Sequence, residues 1–301
     1  MAAMNQTQAT EFVLLGFSHG QPFLFALFLA IYLLALLGNS AILSPVSLDP
    51  HLHSRTYLFL SHLSCLDLCY SSAKVPKILA NALRPQAAIS YGGCLARLFL
   101  LLWCVGLESP ALGPAPMPWL PRALCPPAVM ACARVPAPAL LPGRCLWGLL
   151  GSAAHTLLAA RLSLCGAARL QHIFCDVPPL LGAACSSTRP SEAALRVASI
   201  SVGFSPFLLI LISYLCVLTA ILSVPRAAGR RKAFSSCFAH ALVVTLYSVT
   251  AKLNYNRPIS GYCPAAGAAV SVLYCIITPS LSPLIYSLRN QAVPGALREA
   301  V

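Results

Sequence analysis

The segment PFLFALFLAIYLLALLGNSAIL, Pro22–Leu43, carries no charged side chain and is long enough to cross a bilayer as a helix. The rest of the chain has the same character, since 58% of its 301 residues are hydrophobic and only 9% are charged. An ordinary soluble domain has about 25% charged residues, and so few charges could not cover an aqueous surface. The composition therefore predicts one membrane domain over residues 1–301, with about seven helical spans.

Six further apolar runs follow this segment, and they begin near Thr56, Cys94, Cys145, Ala194, Ala233 and Ala268. Five of the seven runs predict complete spans. The third stops at ESPALGPAPMPWLPRALCP, Glu108–Pro126, a stretch with six prolines. The fourth, Cys145–Leu162, is marginal in length and follows Pro136, Pro138 and Pro142. Because an interior proline costs a helix about 3 kcal/mol, we expect helices three and four to be disrupted, with helix three cut short or distorted near Pro110.

The net charge of +13 comes from 20 Lys and Arg set against 7 Asp and Glu. The basic residues are spread between apolar runs, which favours anionic lipid and cytoplasmic partners over nucleic acid. The cluster Arg226–Lys232 predicts a cytoplasmic connection, and the glycosylation sequon at Asn5 predicts an outside N-terminus. With seven spans the two agree, so residues 1–21 and loop two (163–192) are predicted to be extracellular and the tail (288–301) cytoplasmic.

The order of the motifs allows a family to be named. TEFVLLGFS precedes the first span, GNSAIL lies in it, LHSRTYLFLSHLSCLDLCYSS and KVPKIL form the second, and GGC opens the third. HIFCDVPPLL lies in loop two, KAFSSCFAH opens the sixth span, and PLIYSLRN closes the seventh. The chain resembles the olfactory receptors, a branch of the rhodopsin-like G-protein-coupled receptors. That resemblance implies an all-α, seven-helix receptor, not an enzyme, that resides in the plasma membrane, binds small volatile odorants and couples to a stimulatory heterotrimeric G protein.

Four cysteines lie where the oxidising exterior would favour disulfides, namely Cys94 at the start of the third span and Cys165, Cys175 and Cys185 in loop two. No histidine stands at zinc-finger spacing, which favours pairing over metal binding. Four cysteines allow three pairings, and the sequence itself leaves them open. The resemblance implies Cys94–Cys175 and Cys165–Cys185.

Asp67 and Glu108 are the carboxylates inside spans, and an acid at that depth is by default a functional candidate. The resemblance implies that both hold a sodium ion in the inactive state, and no other cofactor is expected. The alternative is a protonated carboxyl group hydrogen-bonded to Asn39 or to a polar group of helix seven.

For the odorant site the resemblance implies positions on helices three, five, six and seven. They are Leu102, Val105, Gly106, Ser199, Val202, Gly203, Tyr247, Thr250 and Tyr274. Ordinary packing is the alternative for each of them. Lys252 lies beside this set, and its long side chain could instead extend away from the bundle.

On the inner side the resemblance implies G-protein contacts at Tyr214, Arg231, Lys232, His240 and Tyr286. The alternative for the basic pair is a solvated cytoplasmic loop. A MAYDRYVAIC-like motif closes helix three in the family, and its arginine first latches the inactive bundle and then meets the G protein. This sequence has no such motif, and the family spacing from Cys94 falls on Trp119.

Two hypotheses follow from the missing motif. One is a working odorant receptor, and the other is a non-coupling, pseudogene-like relic that is retained in the endoplasmic reticulum. A transporter or membrane enzyme is disfavoured, because the chain has no HExxH, GxSxG or phosphate-binding loop and no inverted repeat.

Overall fold

The structure, a computed structural model, describes residues 11–14, 22–48, 55–84, 88–111, 137–164, 169–170, 172–222, 234, 238, 241–242, 245–246, 248–256 and 264–287. Long helices dominate it. The first four spans are α1 (Pro22–Leu48), α2 (Arg55–Ala82), α3 (Tyr91–Ala111) and α4 (Ala137–Ala160). Loop two contains the short helix α5 (Val177–Gly182).

The last three spans are less regular. The fifth consists of α6 (Arg189–Ala198), a π-helical segment (Ser199–Phe204) and α7 (Ser205–Leu222). The sixth is described in part and is helical at residues 248–255. The seventh consists of α8 (Pro264–Val272), a second π-helical segment (Leu273–Ile277) and α9 (Thr278–Ser287).

The outward faces of these helices are apolar. Among the described residues, α1 is long and apolar enough to cross a membrane by itself, and α3 has a shorter apolar part, Tyr91–Leu107. Large hydrophobic side chains project from the bundle, including Leu37, Trp147, Leu150, Leu157 and Leu215. In water such a surface would be unfavourable, whereas in a bilayer these side chains contact lipid.

Each π-helical segment stands directly before a proline. The first ends at Phe204, two residues before Pro206, and the second ends at Ile277, two residues before Pro279. A proline has no N–H, so a carbonyl group in the preceding turn loses its hydrogen bond. A widened, π-helical turn lets another backbone N–H bond to that carbonyl. Both spans therefore continue past their prolines.

The fourth span corrects the predicted boundary. α4 begins at Ala137, before the predicted start at Cys145, and its 24 residues form a complete span. Pro138 lies in the first turn, where the missing N–H costs no intrahelical bond, and Pro142 is accommodated inside the helix. α3 is helical as far as Ala111, which includes the backbone of Pro110. Residues 112–136 lie outside the described part of the chain, so the inner half of helix three stays a prediction.

Two glycine contacts bring helices close together. A Cβ atom on Gly106 of α3 would lie 2.7 Å from the Cα of Gly148 on α4, and one on Gly38 of α1 would lie 2.8 Å from the Cβ of Pro283 on α9. Beside the second contact, the Asn39 amide donates to the carbonyls of Ala35 (2.9 Å) and Pro279 (3.3 Å). These contacts fix α3 against α4 and the first span against the seventh.

A small sheet, which the sequence analysis did not predict, covers one end of the bundle. The strand β1 (Glu11–Leu14) pairs antiparallel with β2 (Ala88–Ser90) and parallel with β3 (Arg169–Leu170). Phe12 of β1 is fully buried, in the hydrophobic cluster that contains Leu98 of α3 and Leu180 of loop two. The sheet joins the N-terminal segment to loop two, and we call this end of the molecule the outer end.

Candidate ligand site at the outer end

The outer end is cross-linked by a disulfide between Cys94 of α3 and Cys175 of loop two, whose Cα atoms lie 5.5 Å apart. This is the pairing that the resemblance implies. Cys185 is disulfide-bonded as well, and its predicted partner, Cys165, lies outside the described residues. Loop two is thereby fixed to the helix that runs through the middle of the bundle.

Asp176, next to the disulfide, is fully buried and connects loop two to the sixth span. It caps α5, accepting a hydrogen bond from the backbone N–H of Val177 at 2.8 Å. The same carboxylate accepts from the Asn254 amide at 3.1 Å and from the Tyr255 hydroxyl at 3.3 Å. A buried carboxylate is costly without donors, and the two bonds from Asn254 and Tyr255 hold the loop against the sixth span.

A chain of hydrogen bonds continues from Asn254 to the seventh span and back to loop two. The Ser271 hydroxyl donates to Asn254 Oδ1 at 3.0 Å, and His172 Nε2 lies 3.2 Å from the Ser271 oxygen. The chain ends at the Asp176 carboxylate, which only accepts, and at its other end His172 Nδ1 lies 3.0 Å from the carbonyl oxygen of Phe174, so the imidazole tautomer sets which ring nitrogen donates. Loop two and the sixth and seventh spans are thus joined by one buried polar network.

His172 is the ionisable end of this network in loop two. Its burial lowers the pKa of the imidazole from the ordinary value of 6.5, and the nearby Lys74 ammonium lowers it too. The Asp176 carboxylate and the backbone bond to Phe174 oppose this shift, but burial is the largest cause. The neutral form is therefore favoured in the folded protein.

Beneath the network, three aromatic rings surround the ammonium group of Lys74, and we call them the ring cluster. The Lys74 Nζ lies 4.2 Å from the ring centroid of Tyr70, 4.5 Å from that of Phe174 and 5.6 Å from that of Tyr274. Tyr274 also stands edge-on to Tyr70, with ring centroids 5.7 Å apart. The cluster brings together α2, loop two and the seventh span.

Several residues of the predicted odorant site border these clusters. Tyr274 is fully buried, and it belongs to a hydrophobic cluster that also contains the other two rings around Lys74. Val105 packs against this hydrophobic cluster. Leu102 packs against the neighbouring cluster around the disulfide. Thr250 is buried, and its hydroxyl donates to the carbonyl of Leu246 at 2.7 Å. The structure therefore brings Val105 and Tyr274 to one apolar region, with Leu102 beside it.

The other predicted site residues are placed differently. Gly106 faces Gly148 of α4, which gives it a packing role, and its ligand-binding role stays a prediction. Ser199 is half-buried where the first π-helical segment begins. Val202 and Gly203 are described by their backbone alone, and Tyr247 lies outside the described residues.

Lys252 is half-buried between the fifth and sixth spans. Its Nζ lies 5.4 Å from the ring centroid of Phe207 on α7. The ammonium therefore contacts an aromatic face of the neighbouring helix, and both alternatives for Lys252, the odorant site and an outward-extended side chain, stay predictions.

Of the two residues predicted to hold sodium, the structure describes the side chain of Asp67 but not that of Glu108. Asp67 is 5% exposed on α2, and Asn39 is fully buried on α1. The Asn39 amide donates to backbone carbonyls of the first and seventh spans. The side chain of Glu108 lies outside the described residues, although its backbone belongs to α3.

The predicted G-protein side is mostly outside the described residues. Tyr214 is half-buried on α7, and the backbone of Tyr286 belongs to α9. Arg231, Lys232, His240 and the glycosylation residue Asn5 are not among the described residues. Their predicted roles stay predictions.

The residues that carry the network and the ring cluster, above all Lys74, His172 and Asp176, were not predicted as functional from the sequence. A lysine inside an apolar run is itself a signal for a functional site, and Lys74 provides it. The HIFCD motif provides another signal, because it places His172 and Asp176 on either side of the disulfide cysteine.

Comparison with known proteins agrees with this architecture. The family model described as olfactory receptor matches residues 28–301. The chain is 38% identical to Olfactory receptor 5AP2 of Mus musculus, over 98% of this chain and 94% of that protein. It is 39% identical to Olfactory receptor 2G6 of Homo sapiens, over 100% of this chain and 96% of that protein.

The fold has a solved counterpart. The crystal structure of squid rhodopsin superposes with a TM-score of 0.62, covering 94% of this chain and 87% of that one, at 14% sequence identity. At that identity the likeness shows the fold alone, a rhodopsin-like bundle of seven transmembrane helices. Together with the family match over nearly the whole chain, it establishes that this multi-pass membrane protein belongs to the olfactory receptor family.

Proposed function

We propose that this protein is an odorant receptor that binds small volatile molecules at its outer end and couples to a stimulatory heterotrimeric G protein at the plasma membrane. The observation that carries the proposal is the buried network at the outer end. In it, Asp176 of loop two bonds to the sixth span, and His172 bonds through Ser271 to the seventh. A ligand beneath loop two would touch the helices whose relative positions this network fixes.

The chemical character of the region suits a volatile ligand. Val105, Leu101 and Ile276 supply apolar surface, and Tyr274 supplies an aromatic ring. Ligand sites of this kind are mostly apolar with a few polar groups that converge on the ligand. Binding that favours one arrangement of the sixth and seventh spans would shift the bundle between its states.

The proposal is tested by expressing the tagged chain, labelling it at the cell surface and measuring cAMP across an odorant panel. A saturable, ligand-dependent rise in cAMP is expected. Thermal stabilisation of the purified receptor by the same odorants is measured in parallel. Stabilisation without a cAMP rise would show a receptor that binds but does not couple, which is the relic hypothesis. A receptor that reaches the surface and that no odorant stabilises would overturn the proposed ligand binding.

A sodium ion held by Asp67 and Glu108 is part of the same proposal, and buried oxygen atoms on α1 and α2 fit such an ion. Ser71 lies one helical turn from Asp67, on the same face of α2. The hydroxyl of Ser71 and the Oδ1 atom of Asn39 on α1 are buried and have no hydrogen-bond partner among the described residues. A hard cation prefers oxygen ligands of this kind. The ion would supply positive charge that stabilises the Asp67 carboxylate inside the bundle.

This part of the proposal is tested by comparing thermal unfolding in NaCl and KCl at equal ionic strength. We expect NaCl to raise the unfolding midpoint of the unmodified chain and to have no specific effect on the Asp67→Asn variant. Equal midpoints for the unmodified chain in the two salts would contradict sodium binding.

A further inference from the structure

Three basic side chains gather at the outer ends of α2 and α3, and we call them the basic cluster. Lys77 of α2 lies close enough to Arg84, two residues beyond the end of that helix, and to Arg97 of α3 for their charges to interact. Basic residues normally concentrate in the cytoplasmic connections of a membrane protein. A cluster of three at the opposite end is therefore unusual.

The packing of α3 against α2 holds the cluster together. The Arg97 guanidinium donates from Nη1 to the carbonyl of Ala73, one turn before Lys77 on the same face of α2, at 2.8 Å. Lys77 and Arg97 are half-buried, and Arg84 is exposed. Like charges held together and partly out of water repel each other, and an anion placed among them offsets that repulsion. The two helices thus provide a place for an anion.

Acidic side chains of the described part of the chain do not neutralise the cluster. Asp176 accepts from donors of loop two and the sixth span, and Glu192 pairs with Arg196, Nη2 to Oε2 at 3.7 Å. Glu11 is exposed on β1, and no ion pair joins it to the cluster. The positive charge of the cluster is left for a ligand to offset.

An unsatisfied amide lies at the same level of α2. Asn81 stands one turn beyond Lys77, and its carbonyl accepts from the backbone N–H of Arg84 at 3.2 Å, which places the three on one side of the helix. Asn81 is 5% exposed, and its Oδ1 and Nδ2 atoms are buried without a hydrogen-bond partner among the described residues. Buried polar groups are nearly always paired with protein, water or ligand. The amide therefore adds an unused donor beside the charges.

The surface next to the cluster is apolar. Leu83 is 69% exposed, and Leu100 of α3, one turn inward from Arg97, is 43% exposed. At 1.5 Å per residue, Lys77 and Arg97 lie about 7–9 Å from the outer ends of their helices. At that depth long basic side chains reach the lipid headgroups while their neighbours contact acyl chains. Charge at the outer end and apolar surface further inward match the two parts of a lipid.

We infer that the basic cluster binds the phosphate of an anionic phospholipid in the outer leaflet, with an acyl chain against Leu100, and that this lipid bridges α2 and α3. Arginine is always charged, and its guanidinium group binds phosphate oxygens in pairs. A zwitterionic headgroup carries a cation that the cluster repels, which favours a lipid with net negative charge. The site is separate from the proposed odorant site and does not depend on it.

The test measures the thermal unfolding midpoint of purified receptor in phosphatidylcholine nanodiscs that contain increasing fractions of phosphatidylglycerol. The unmodified receptor should be stabilised in a saturable way, and the curve gives an apparent affinity for phosphatidylglycerol. One basic residue near an anionic headgroup contributes a factor of roughly five in binding. Lys77→Met should therefore weaken binding roughly fivefold, and Lys77→Met combined with Arg97→Met roughly 25-fold.

Two matched variants complete the design. Arg161→Met combined with Arg189→Met removes two charges from exposed positions at the same end but outside the cluster. It should change the affinity less than about threefold, because salt screens such charges. Lys77→Arg keeps the charge and should keep the affinity within about twofold. If the variant without Lys77 and Arg97 does not fold, the comparison of Lys77→Met with Lys77→Arg decides the question.

Three outcomes would overturn the inference. Equal affinity of the unmodified receptor and the variant without Lys77 and Arg97 would exclude the cluster as the site. An equal loss in the variant without Arg161 and Arg189 would show an effect of surface charge in general. If inorganic phosphate in pure phosphatidylcholine nanodiscs raised the midpoint as much as phosphatidylglycerol does, the ligand would be a free anion rather than a lipid. Odorant binding is measured separately and is not decided by any of these results.

Discussion

The outer end of the molecule keeps features of the family, whereas the inner half of helix three lacks a family motif. At the outer end, α3 is cross-linked to loop two at Cys94, and the Asp176 network joins that loop to the sixth and seventh spans. At the inner half, Glu108–Pro126 contains six prolines and lacks the arginine motif with which the family meets its G protein. In the proposed function, ligand binding and coupling belong to opposite ends. A change at one end can therefore affect one of the two and leave the other unchanged.

The largest expected effect comes from restoring the inner half. Replacing residues 108–126 by a family segment that carries MAYDRYVAIC should raise the maximal ligand-dependent cAMP response well above that of the unmodified chain. The ligand affinity of purified receptor without G protein should stay the same, because the outer end is unchanged. The cAMP assay and thermal stabilisation measure the two properties separately.

The control for this exchange is the same segment with its arginine replaced by alanine. Equal maximal cAMP responses from the restored and unmodified chains would contradict the comparison, since coupling would then not need the motif. A large change in ligand affinity on restoration would show that the two ends are not independent.

Breaking the outer end should have the next largest effect. Cys94→Ser opens a loop with a sequence separation of 81 residues. The loss in the free energy of unfolding is about 4–5 kcal/mol by loop entropy, which is comparable to the total stability of many domains. Surface labelling should fall to background.

Cys65→Ser is the matched control, because Cys65 is an exposed free cysteine on α2. Its effect on unfolding should stay within about 0.5 kcal/mol. Normal surface labelling and ligand binding by Cys94→Ser would show that the outer end does not depend on its cross-link.

Disturbing the contact between α3 and α4 should reduce the stability of the protein by a smaller amount. Gly106→Ala places a Cβ 2.7 Å from the Gly148 Cα, so the helices must move apart. We expect a loss of about 1–3 kcal/mol in the free energy of unfolding, typical of overpacking. The thermal unfolding midpoint measures it.

Gly151→Ala on α4 is the control, since a Cβ there meets no atom within 4 Å. It should be neutral or stabilise the protein by up to about 1 kcal/mol through helix propensity. Equal effects of the two substitutions would mean that α3 and α4 are not in close contact at Gly106.

The smallest effect concerns pH. The unfolded chain protonates His172 near the ordinary pKa of 6.5, whereas burial lowers the pKa in the folded protein. The unfolded state therefore binds more protons as pH falls through 6.5 toward the folded pKa, and stability should fall in that window. The slope for one proton cannot exceed about 1.4 kcal/mol per pH unit.

His172→Gln removes the titration and keeps a polar side chain. Its unfolding midpoint should change less than that of the unmodified protein between about pH 7.5 and 5.5. An identical pH dependence in the two proteins would assign the effect to another group.

The spans and the outer disulfide could be anticipated from the sequence, for different reasons. Apolar runs of membrane length predict helices directly, because each span must satisfy its own backbone. The Cys94–Cys175 pairing came from the family resemblance, since four cysteines alone leave three pairings open. The start of α4 was misjudged because Pro138 and Pro142 were counted as helix breakers, although Pro138 lies in the first turn, where a proline is tolerated, and Pro142 is accommodated inside the helix.

The strand β1 and the buried network could not be read from local patterns. Four residues of β1 show no periodicity that distinguishes them from a loop. The bonds from Asp176 to Asn254 and from His172 to Ser271 join residues separated by 78 and 99 positions. Only the folded bundle brings such pairs together. Lys74, by contrast, was visible as a charge in an apolar run, but its aromatic neighbours were not.

The π-helical turns before Pro206 and Pro279 have a consequence for how this chain is mapped onto its relatives. A residue in a regular helix turns the chain by about 100°, so one additional residue in a widened turn rotates everything after it by a similar angle. A single helical wheel drawn through the fifth span would therefore place α6 and α7 out of phase. Residues on either side of Ser199–Phe204 can point the same way although their spacing assigns them to different faces.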